Sequence, residues 1–303
     1  MPMLQLSVAV FAYNEENGIG ACLDAIGACA QEAQVTVHVL VNGCTDGTEA
    51  AVNAYKPVGF AVIPVVLQRG DKANAWNHYV HEVAPLEAAA HVFTDGDCRM
   101  VPGTLRGFLQ AFENNPEAMG CAALPVSGRS QTEFRAKLAV GREMAGNLYA
   151  LRGEAVRRFR EAGVRLPFGM FGEDGLVTML VKHDLDPRSP RREERVAVSE
   201  EGGFAFKPLS PFSLRDLKTY RNRKMRYAVR RQQANMLYPL LFERGVSAMP
   251  EHVVDLYRAC HASMERGWNG LSTYFDWKAR RRIERDLRAD DSVKQAERAH
   301  LYS

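Results

Sequence analysis

This 303-residue chain lacks three sequence features that would directly indicate its location or its metal and disulfide chemistry. No apolar run approaches the roughly 18 residues that a membrane-spanning helix needs, so no such helix is predicted. The first residues show neither the basic stretch nor the cleavage site of a secretory leader. The six cysteines form no CxxC pair. We therefore expect a cytoplasmic protein with reduced thiols.

A strong charge of either sign is lacking as well. The sequence has 39 basic and 36 acidic residues, and the net charge of +3 is too small to indicate a nucleic-acid partner. A hydrophobic content of 46% and a charged content of 25% are typical of a soluble globular protein. No internal repeats or low-complexity tracts occur. The length fits one large α/β domain or one domain with a helical appendage.

Apolar, β-branched runs alternate with helical patterns through the first 125 residues. This alternation predicts a mostly parallel sheet with helices on both faces. The predicted strands are Leu6–Phe11, Thr36–Asn42, Phe60–Val66, His91–Thr94 and Gly120–Leu124. Helices are predicted near residues 16–31, 47–55, 72–84 and 102–114. Ligands bind beyond the carboxyl ends of such strands, so we expect Tyr13–Glu15, Asn42–Asp46 and Asp95–Asp97 to meet at one edge.

The rest of the chain is predicted to be mainly helical. Helical patterns cover residues 130–147, 152–161, 173–182, 213–237 and 250–266, and Pro239 stands near the end of the fourth. A strand is expected at Asn147–Leu151, and another, Arg195–Ser199, within an exposed loop over residues 184–203. Prolines interrupt the pattern near residues 205–212. We therefore predict a first domain over residues 1–205 and a helical extension over residues 206–303.

The fourth predicted strand ends in two aspartates separated by one glycine, Asp95-Gly96-Asp97. Two carboxylates at contact distance repel each other by an energy on the order of several kcal/mol unless a cation lies between them. Carboxylate oxygens suit Mg²⁺ or Mn²⁺, which typically share one or two carboxylates with the phosphates of a substrate. The alternative is an ordinary strand-to-turn junction, where Asp and Gly are common.

The turn after the first strand lacks the GxGxxG pattern of a dinucleotide-binding site. Only Gly18-Ile19-Gly20 is present, displaced into the helix, with Leu23 where the third glycine belongs. This absence argues against a dehydrogenase. Asn14-Glu15-Glu16 stands at the start of the next helix, where helix capping and the binding of a base are both open interpretations.

Several motifs, taken in order, resemble those of the family 2 glycosyltransferases of GT-A fold. They are Ala12-Tyr-Asn-Glu-Glu16, Asn42-Gly-Cys-Thr-Asp-Gly-Thr48, Arg69-Gly-Asp-Lys-Ala-Asn-Ala-Trp-Asn77, Asp95-Gly-Asp97, Phe171-Gly-Glu-Asp174 and, weakly, Arg223-Lys-Met-Arg-Tyr227. The resemblance covers about residues 4–230. It implies a GT-A fold with a C-terminal helical extension that packs on the catalytic domain and completes the site.

The resemblance also implies a reaction. A sugar would pass from a UDP- or GDP-sugar to an acceptor hydroxyl or amine, with inversion and with the help of Mn²⁺ or Mg²⁺. Asp97 would hold the metal, and Asp95 would contact the ribose or the metal through water. The residues implied to contact the nucleotide sugar are Ala12, Tyr13, Glu15, Asn42, Lys72, Asp95, Arg223 and Arg226. Asp174 would be the general base, with Glu173 beside it, although acidic residues at a helix start also serve as plain caps.

The chain departs from the family pattern at two places. Val41-Asn42-Gly43-Cys44 stands where many members have Asp-Asp-Gly-Ser, and Arg223 and Tyr227 replace Gln and Trp. These changes leave the nucleotide and the product class open. The competing hypotheses are a nucleotidyltransferase and a sugar-nucleotide-binding protein without transferase activity.

A basic segment, Arg215 to Arg231, carries eight Lys or Arg residues and a single acidic residue, Asp216. A solvated helix face, contact with the phosphates of the donor, and peripheral contact with an anionic membrane are all open interpretations of it.

Overall fold

A seven-stranded sheet organises the first part of the chain in the computed structural model, which describes residues 4–30, 33–127, 131–205, 214–260 and 270–301. The strands are β1 (Gln5–Ala12), β2 (Gln34–Asn42), β3 (Ala61–Leu67), β4 (Ala90–Asp95), β6 (Gly120–Ala122), β7 (Leu148–Arg152) and β8 (Val196–Val198). Their spatial order is β3-β2-β1-β4-β7-β6-β8. Two shorter strands, β5 (Arg99–Met100) and β9 (Phe204–Ala205), form a separate antiparallel pair.

The prediction of a mostly parallel α/β sheet is confirmed. Strands β1 to β4 pair in parallel, whereas β7 runs antiparallel to both β4 and β6. Every residue of β1 from Leu6 to Ala12 is buried, as expected for a central strand covered on both faces. In the register of β1 and β4, Phe11 lies opposite Asp95, so the ends of these two strands coincide.

Seven helices accompany the described part of this sheet. They are α1 (Ile19–Cys29), α2 (Thr48–Ala54), α3 (Lys72–His78), α4 (Thr104–Asn114), α5 (Gln131–Gly141), α6 (Gly153–Glu161) and α7 (Glu173–Lys182). A π-helical turn, Tyr79–Val83, continues α3. On α1, the apolar side chains of Leu23 and Ile26 are buried with Cys22 and Cys29 in the main hydrophobic core.

For the middle of the chain, one predicted helix is wrong in its extent and one predicted strand is confirmed. The helix predicted over residues 130–147 ends at Gly141 because Arg142 takes a φ of +44°, which interrupts the helix. The strand predicted at Arg195–Ser199, within the loop over residues 184–203, is confirmed as β8, and its residues Val196 and Ala197 are buried. Asp184 anchors this loop through ion pairs with arginines, at 3.3 Å from Arg158 and 2.9 Å from Arg195.

A buried polar chain crosses the sheet of the first unit. The Tyr79 hydroxyl donates to Ser7 Oγ at 2.6 Å and lies 2.9 Å from His91 Nδ1, while Ser7 Oγ lies 3.2 Å from His38 Nδ1. Nε2 of His91 is buried and has no hydrogen-bond partner among the described residues. Burial lowers the pKa of His91 from its ordinary value of 6.5 to about 4, so this ring is neutral in the folded protein near neutral pH.

The chain divides into two compact units, with Met1–Leu166 and Gly172–Pro208 in the first and Pro167–Phe171 and Leu209–Ser303 in the second. The described helices of the second unit are α8 (Leu214–Arg244), α9 (Val253–Cys260) and α10 (Thr273–Leu301). Part of the helix predicted over residues 250–266 lies outside the described residues. None of the described helices combines the length and the apolar character that crossing a bilayer requires.

Helix α8 continues past its predicted end at residue 237 and includes Pro239. Proline removes one backbone hydrogen bond, but the neighbouring Leu237 and Leu241 are fully buried, and their packing holds the helix together. Gln233, also fully buried, connects α8 to the segment 167–171. It accepts from Phe171 N at 2.8 Å and donates to Tyr257 Oη at 2.6 Å.

Candidate active site

The turns that follow β1 and β2 lie together at the carboxyl edge of the sheet, as the sequence predicts. Thr45 N donates to Asn14 Oδ1 at 2.8 Å, and Gly47 N donates to Glu16 Oε2 at 2.9 Å. Asp46 Oδ1 accepts from Thr48 N at 3.0 Å at the start of α2. The polar residues of these two turns therefore hold the turns together and cap a helix.

Asn42 positions the start of α3. Its side-chain oxygen accepts from Asp71 N at 3.0 Å, and the Asp71 carboxylate caps α3 by accepting from Asn74 N at 2.7 Å. Asn42 is buried, at 5% exposure. Gly43 next to it has a φ of +64°, and a Cβ there would lie 2.2 Å from Gly70 N, so only glycine permits this close approach of two chain segments.

Lys72, the first residue of α3, lies between two predicted groups of site residues. Its Nζ is 2.5 Å from Asp95 Oδ1 and 2.8 Å from Glu173 Oε1, and it donates to Gly146 O at 3.0 Å. Burial alone would lower the pKa of Lys72, but the two carboxylates raise it well above its usual value. The lysine therefore joins the end of β4 to the start of α7 as a permanent cation.

Three carboxylates are close enough at this edge to influence one another. Burial, followed by the charges of Asp97 and other groups, raises the pKa of Glu15 to about 7. Burial also raises the pKa of Asp95 to about 6, against the opposing effect of Lys72. A cation bound here would favour the ionised form of each group. Sequence reasoning placed Glu15 and Asp97 at the same edge but assigned Glu15 to the nucleotide sugar and missed its electrostatic coupling to Asp97.

The chemistry of these residues fits a divalent metal ion that is only partly held by protein. Oxygen donors of carboxylates are the ligands that Mn²⁺ and Mg²⁺ prefer. Within the described residues, no three His, Cys, Asp or Glu side chains form a ready-made metal site. This arrangement suits an ion bound by one or two carboxylates, with the remaining positions left to water and to substrate phosphates.

Asp174 is held by backbone amides at the first turn of α7. Its Oδ2 accepts from Gly146 N at 2.8 Å, and its Oδ1 accepts from Gly175 N at 2.8 Å. Asp174 and Glu173 are buried, at 9% and 6% exposure. Gly172, with a φ of +82°, precedes them and turns the chain into the helix.

Gly146 lies at the centre of the candidate site, and sequence reasoning missed it. Its carbonyl accepts from Lys72 and its amide donates to Asp174. A Cβ at this position would lie 3.1 Å from Lys72 Nζ and 3.2 Å from Glu173 Oε1. The sequence offered no signal for this role, because residue 146 fell inside the predicted helix over residues 130–147.

The other predicted site residues have varied surroundings. Ala12 is fully buried at the end of β1, whereas Tyr13 is 56% exposed. Arg223 and Arg226 lie on α8 in the second unit, Arg223 half-buried and Arg226 exposed. Their contact with a diphosphate stays a prediction.

Comparison with known proteins defines the class to which this chain belongs. A model of the glycosyl transferase family 2 matches residues 7–174, more than half of the chain. The chain therefore belongs to glycosyl transferase family 2 and is a glycosyltransferase of GT-A fold, which confirms the resemblance seen in its motifs. No curated protein matches the chain.

Two solved structures with a similar fold have nucleotide sugars bound. The mannosyltransferase PcManGT from Pyrobaculum calidifontis, in complex with GDP-Man and Mn²⁺, is 18% identical with a TM-score of 0.55, and the match covers 98% of this chain and 79% of that one. Residues 1–349 of TarS from S. aureus, in complex with UDP-GlcNAc, are 13% identical with a TM-score of 0.53, over 95% of this chain and 92% of that one. At sequence identities this low, the structural similarity establishes the fold alone.

Proposed function

We propose that this protein transfers a sugar from a UDP- or GDP-sugar to an acceptor hydroxyl or amine, with inversion at the anomeric carbon and with the assistance of Mn²⁺ or Mg²⁺. One observation carries the proposal: Lys72 lies within 2.8 Å of both Asp95 and Glu173. These carboxylates belong to the two motifs that the family resemblance assigns to the donor and to the acceptor. A carboxylate assigned to the donor and a carboxylate assigned to the acceptor therefore contact the same lysine.

On the donor side, Asp97 is the proposed metal ligand, with Asp95 and Glu15 beside it. A bound Mn²⁺ or Mg²⁺ would offset the negative charge that develops on the departing nucleoside diphosphate. Lys72 adds a second positive charge at the same edge, and its contact with Asp95 orients that carboxylate. The predicted contacts of Ala12, Tyr13 and Asn42 with the nucleotide belong to this same proposal.

On the acceptor side, Asp174 is the proposed general base. Hydrogen bonds from Gly146 and Gly175 fix the orientation of its carboxylate, and an oriented base of this kind contributes about 10²–10⁴-fold to a rate. Asp174 also serves the first turn of α7 through Gly175, so capping and catalysis are compatible roles. Glu173 is engaged by Lys72 and is proposed to contact the acceptor.

A sugar-nucleotide-binding protein without transferase activity is the remaining alternative. Such a protein is expected to have lost the carboxylates of the donor or the acceptor motif, and this chain retains Asp95, Asp97, Glu173 and Asp174. The retained acidic residues therefore favour an active transferase.

The proposal is tested by nucleotide binding with and without a divalent metal. UDP or GDP is expected to raise the melting temperature when Mn²⁺ or Mg²⁺ is present and to have little effect in chelator. Asp97→Asn should abolish this metal-dependent rise, whereas Glu87→Gln, an exposed acid away from the described site contacts, should keep it. Equal stabilisation by nucleotide in chelator would contradict a bridging metal.

A screen of nucleotide sugars by the same melting assay would then identify the donor. With that donor, release of the nucleoside diphosphate reports turnover, and NMR of the product reports the anomeric configuration. Retention of configuration would rule out the inverting reaction, and donor binding without any turnover across a panel of acceptors would favour the binding-protein alternative.

A further inference from the structure

A strongly basic cavity lies between helices α8 and α10 within the second unit. Its volume is about 360 Å³, in the range of small-molecule sites. The residues that line it are Arg221, Asn222, Met225, Phe275, Lys278, Arg281, Arg282 and Arg285. Five of these eight side chains are cationic and none is acidic.

The spacing of these residues along each helix explains how they come together. On α8, Arg221 and Met225 are four residues apart and share one face. On α10, Lys278, Arg281 and Arg285 follow at steps of three and four and share one face as well. Arg223 and Arg226, which the family resemblance assigns to the nucleotide sugar, do not line the cavity.

The cavity has an apolar part beside its cations. Met225 and Phe275 line it, and both pack against a small hydrophobic cluster formed by Ala228, Val229 and Ala279. A ligand held there would therefore meet cations on the two helices and apolar carbon surface next to them.

Two cations elsewhere in this unit are paired with acidic residues. Arg231 pairs with the buried Asp276, and Arg258 lies 2.7 Å from Asp290. In the cavity, Arg282 Nε is 3.8 Å from Asp286. Among the described side chains of residues 217–260 and 272–290, no acidic group forms an ion pair with Arg221 or Arg285.

Aromatic rings orient two of the cavity cations. Lys278 Nζ is 4.7 Å from the centroid of the Tyr274 ring, and the Arg281 guanidinium is 4.3 Å from that of Trp277. A ring contact of this kind positions a cation but does not neutralise it. The cavity thus concentrates five cations, of which Arg282 is paired with Asp286.

We infer that this cavity binds an organic phosphate, with the phosphate against the arginines and the remainder of the ligand against Met225 and Phe275. Guanidinium groups donate paired hydrogen bonds that match phosphate oxygens, and several of them around one anion favour a multiply charged group. A soluble phosphorylated compound and the phosphate headgroup of a lipid share this chemistry. The inference does not depend on the proposed transfer reaction, since none of the proposed transfer residues lines the cavity.

Inorganic pyrophosphate, titrated by calorimetry in chelator, is the first probe. The double variant Arg281→Gln/Arg285→Gln should bind it at least about tenfold more weakly than the native protein, because hydrogen bonds to charged groups contribute about 1.5–3 kcal/mol each. Arg244→Gln is the matched control. It removes one arginine near the other end of α8, about 35 Å along the helix from Arg221, and should leave the affinity unchanged.

Vesicles are the second probe, and they distinguish the two sources of phosphate. Vesicles that contain phosphatidic acid are compared with pure phosphatidylcholine vesicles by flotation at low salt. Retention on phosphatidic acid that the double variant loses assigns the cavity to a lipid headgroup. Loss of pyrophosphate affinity without any retention on vesicles assigns it to a soluble phosphate.

Two results would overturn the inference: equal binding of both probes by the native protein and the double variant, or no binding of either probe by the native protein. Circular dichroism checks that the double variant is folded. If it is not, Arg221→Gln on the opposite wall provides the test, with an expected loss of several-fold in pyrophosphate affinity and the same control.

Discussion

Two regions of this protein, one in each unit, treat charge in opposite ways. At the carboxyl edge of the sheet in the first unit, Lys72 lies 2.5 Å from Asp95 and 2.8 Å from Glu173, so each of these charges has a counter-charge within the protein. In the second unit, five cations line one cavity and none of its lining residues is acidic.

This contrast separates two uses of a charged side chain. A paired network is organised before any ligand arrives, and removing one member leaves the others without compensation. A group of like charges is disfavoured in the empty protein and is stabilised by the anion that it binds. The comparison therefore predicts opposite responses to neutralising a single residue in the two regions.

The largest effect is expected for Asp174→Asn. The amide cannot accept the acceptor proton, so turnover should fall by at least about two orders of magnitude. Binding of the donor should remain, because other residues are proposed to contact the donor, whereas Asp174 accepts hydrogen bonds from the backbone of Gly146 and Gly175. Nucleotide release measures turnover, and nucleotide-dependent melting measures binding.

Asp24→Asn, an exposed residue on α1 that bonds the Tyr55 hydroxyl, is the control for Asp174→Asn and should keep normal turnover. Near-normal turnover of Asp174→Asn itself would place the general base at another residue.

Replacing the central cation, Lys72→Met, should destabilise the first unit by about 3 kcal/mol, because Asp95 and Glu173 lose their counter-charge in a partly buried site. This value is at the lower end of the usual cost of breaking a buried ion pair, because about a quarter of each of the Lys72 and Asp95 side chains is exposed. Urea unfolding measures the loss.

The control for Lys72→Met is Lys137→Met, on an exposed lysine of α5, which should change stability by no more than about 0.5 kcal/mol. If Lys72→Met lost as little stability as Lys137→Met, solvent would be compensating the negative charges of Asp95 and Glu173.

The stability of the protein should also depend on the protonation of His91. Its folded pKa of about 4 lies below the ordinary 6.5, so the unfolded chain takes up a proton first as the pH falls. Stability is therefore retained above pH 6.5 and lost as the pH falls towards 4. At about pH 5 the loss from this group reaches about 2 kcal/mol.

Urea unfolding across this pH range tests the role of His91. His91→Phe should flatten the dependence, whereas His78→Gln, a half-buried residue on α3, should preserve it. An unchanged dependence in His91→Phe would assign the acid sensitivity to other groups.

The smallest effect, and the one with the opposite sign, is expected in the cavity. Arg285→Gln removes one of several like charges, so the melting temperature at low salt should rise by about 1 °C. Added salt should shrink the difference by screening the repulsion. Arg244→Gln, outside the cavity, should show no such gain. A clear fall in the melting temperature of Arg285→Gln would show that this arginine stabilises the fold. It would contradict the proposed difference between the paired charges around Lys72 and the like charges of the cavity.

Much of the fold could be predicted because its strands carry strong local signals. β1 and β4 are mainly apolar, and both are buried central strands of the sheet. The end of the helix over residues 130–147 could not be predicted in the same way. Residues that follow Arg142 are held by distant partners, as when Met144 N donates to Thr178 Oγ1 at 3.2 Å, and no local pattern encodes such a contact.

Hydrophobic periodicity and short motifs are local properties, so the amino-acid order alone shows which carboxylates stand at the strand and helix ends and which family the chain resembles. Folding brings Lys72 between Asp95 and Glu173, places Gly146 against both Lys72 and Asp174, and gathers cations of α8 and α10 around one cavity. These contacts join residues far apart in the chain. Their energies depend on packing and burial, which a linear pattern does not contain.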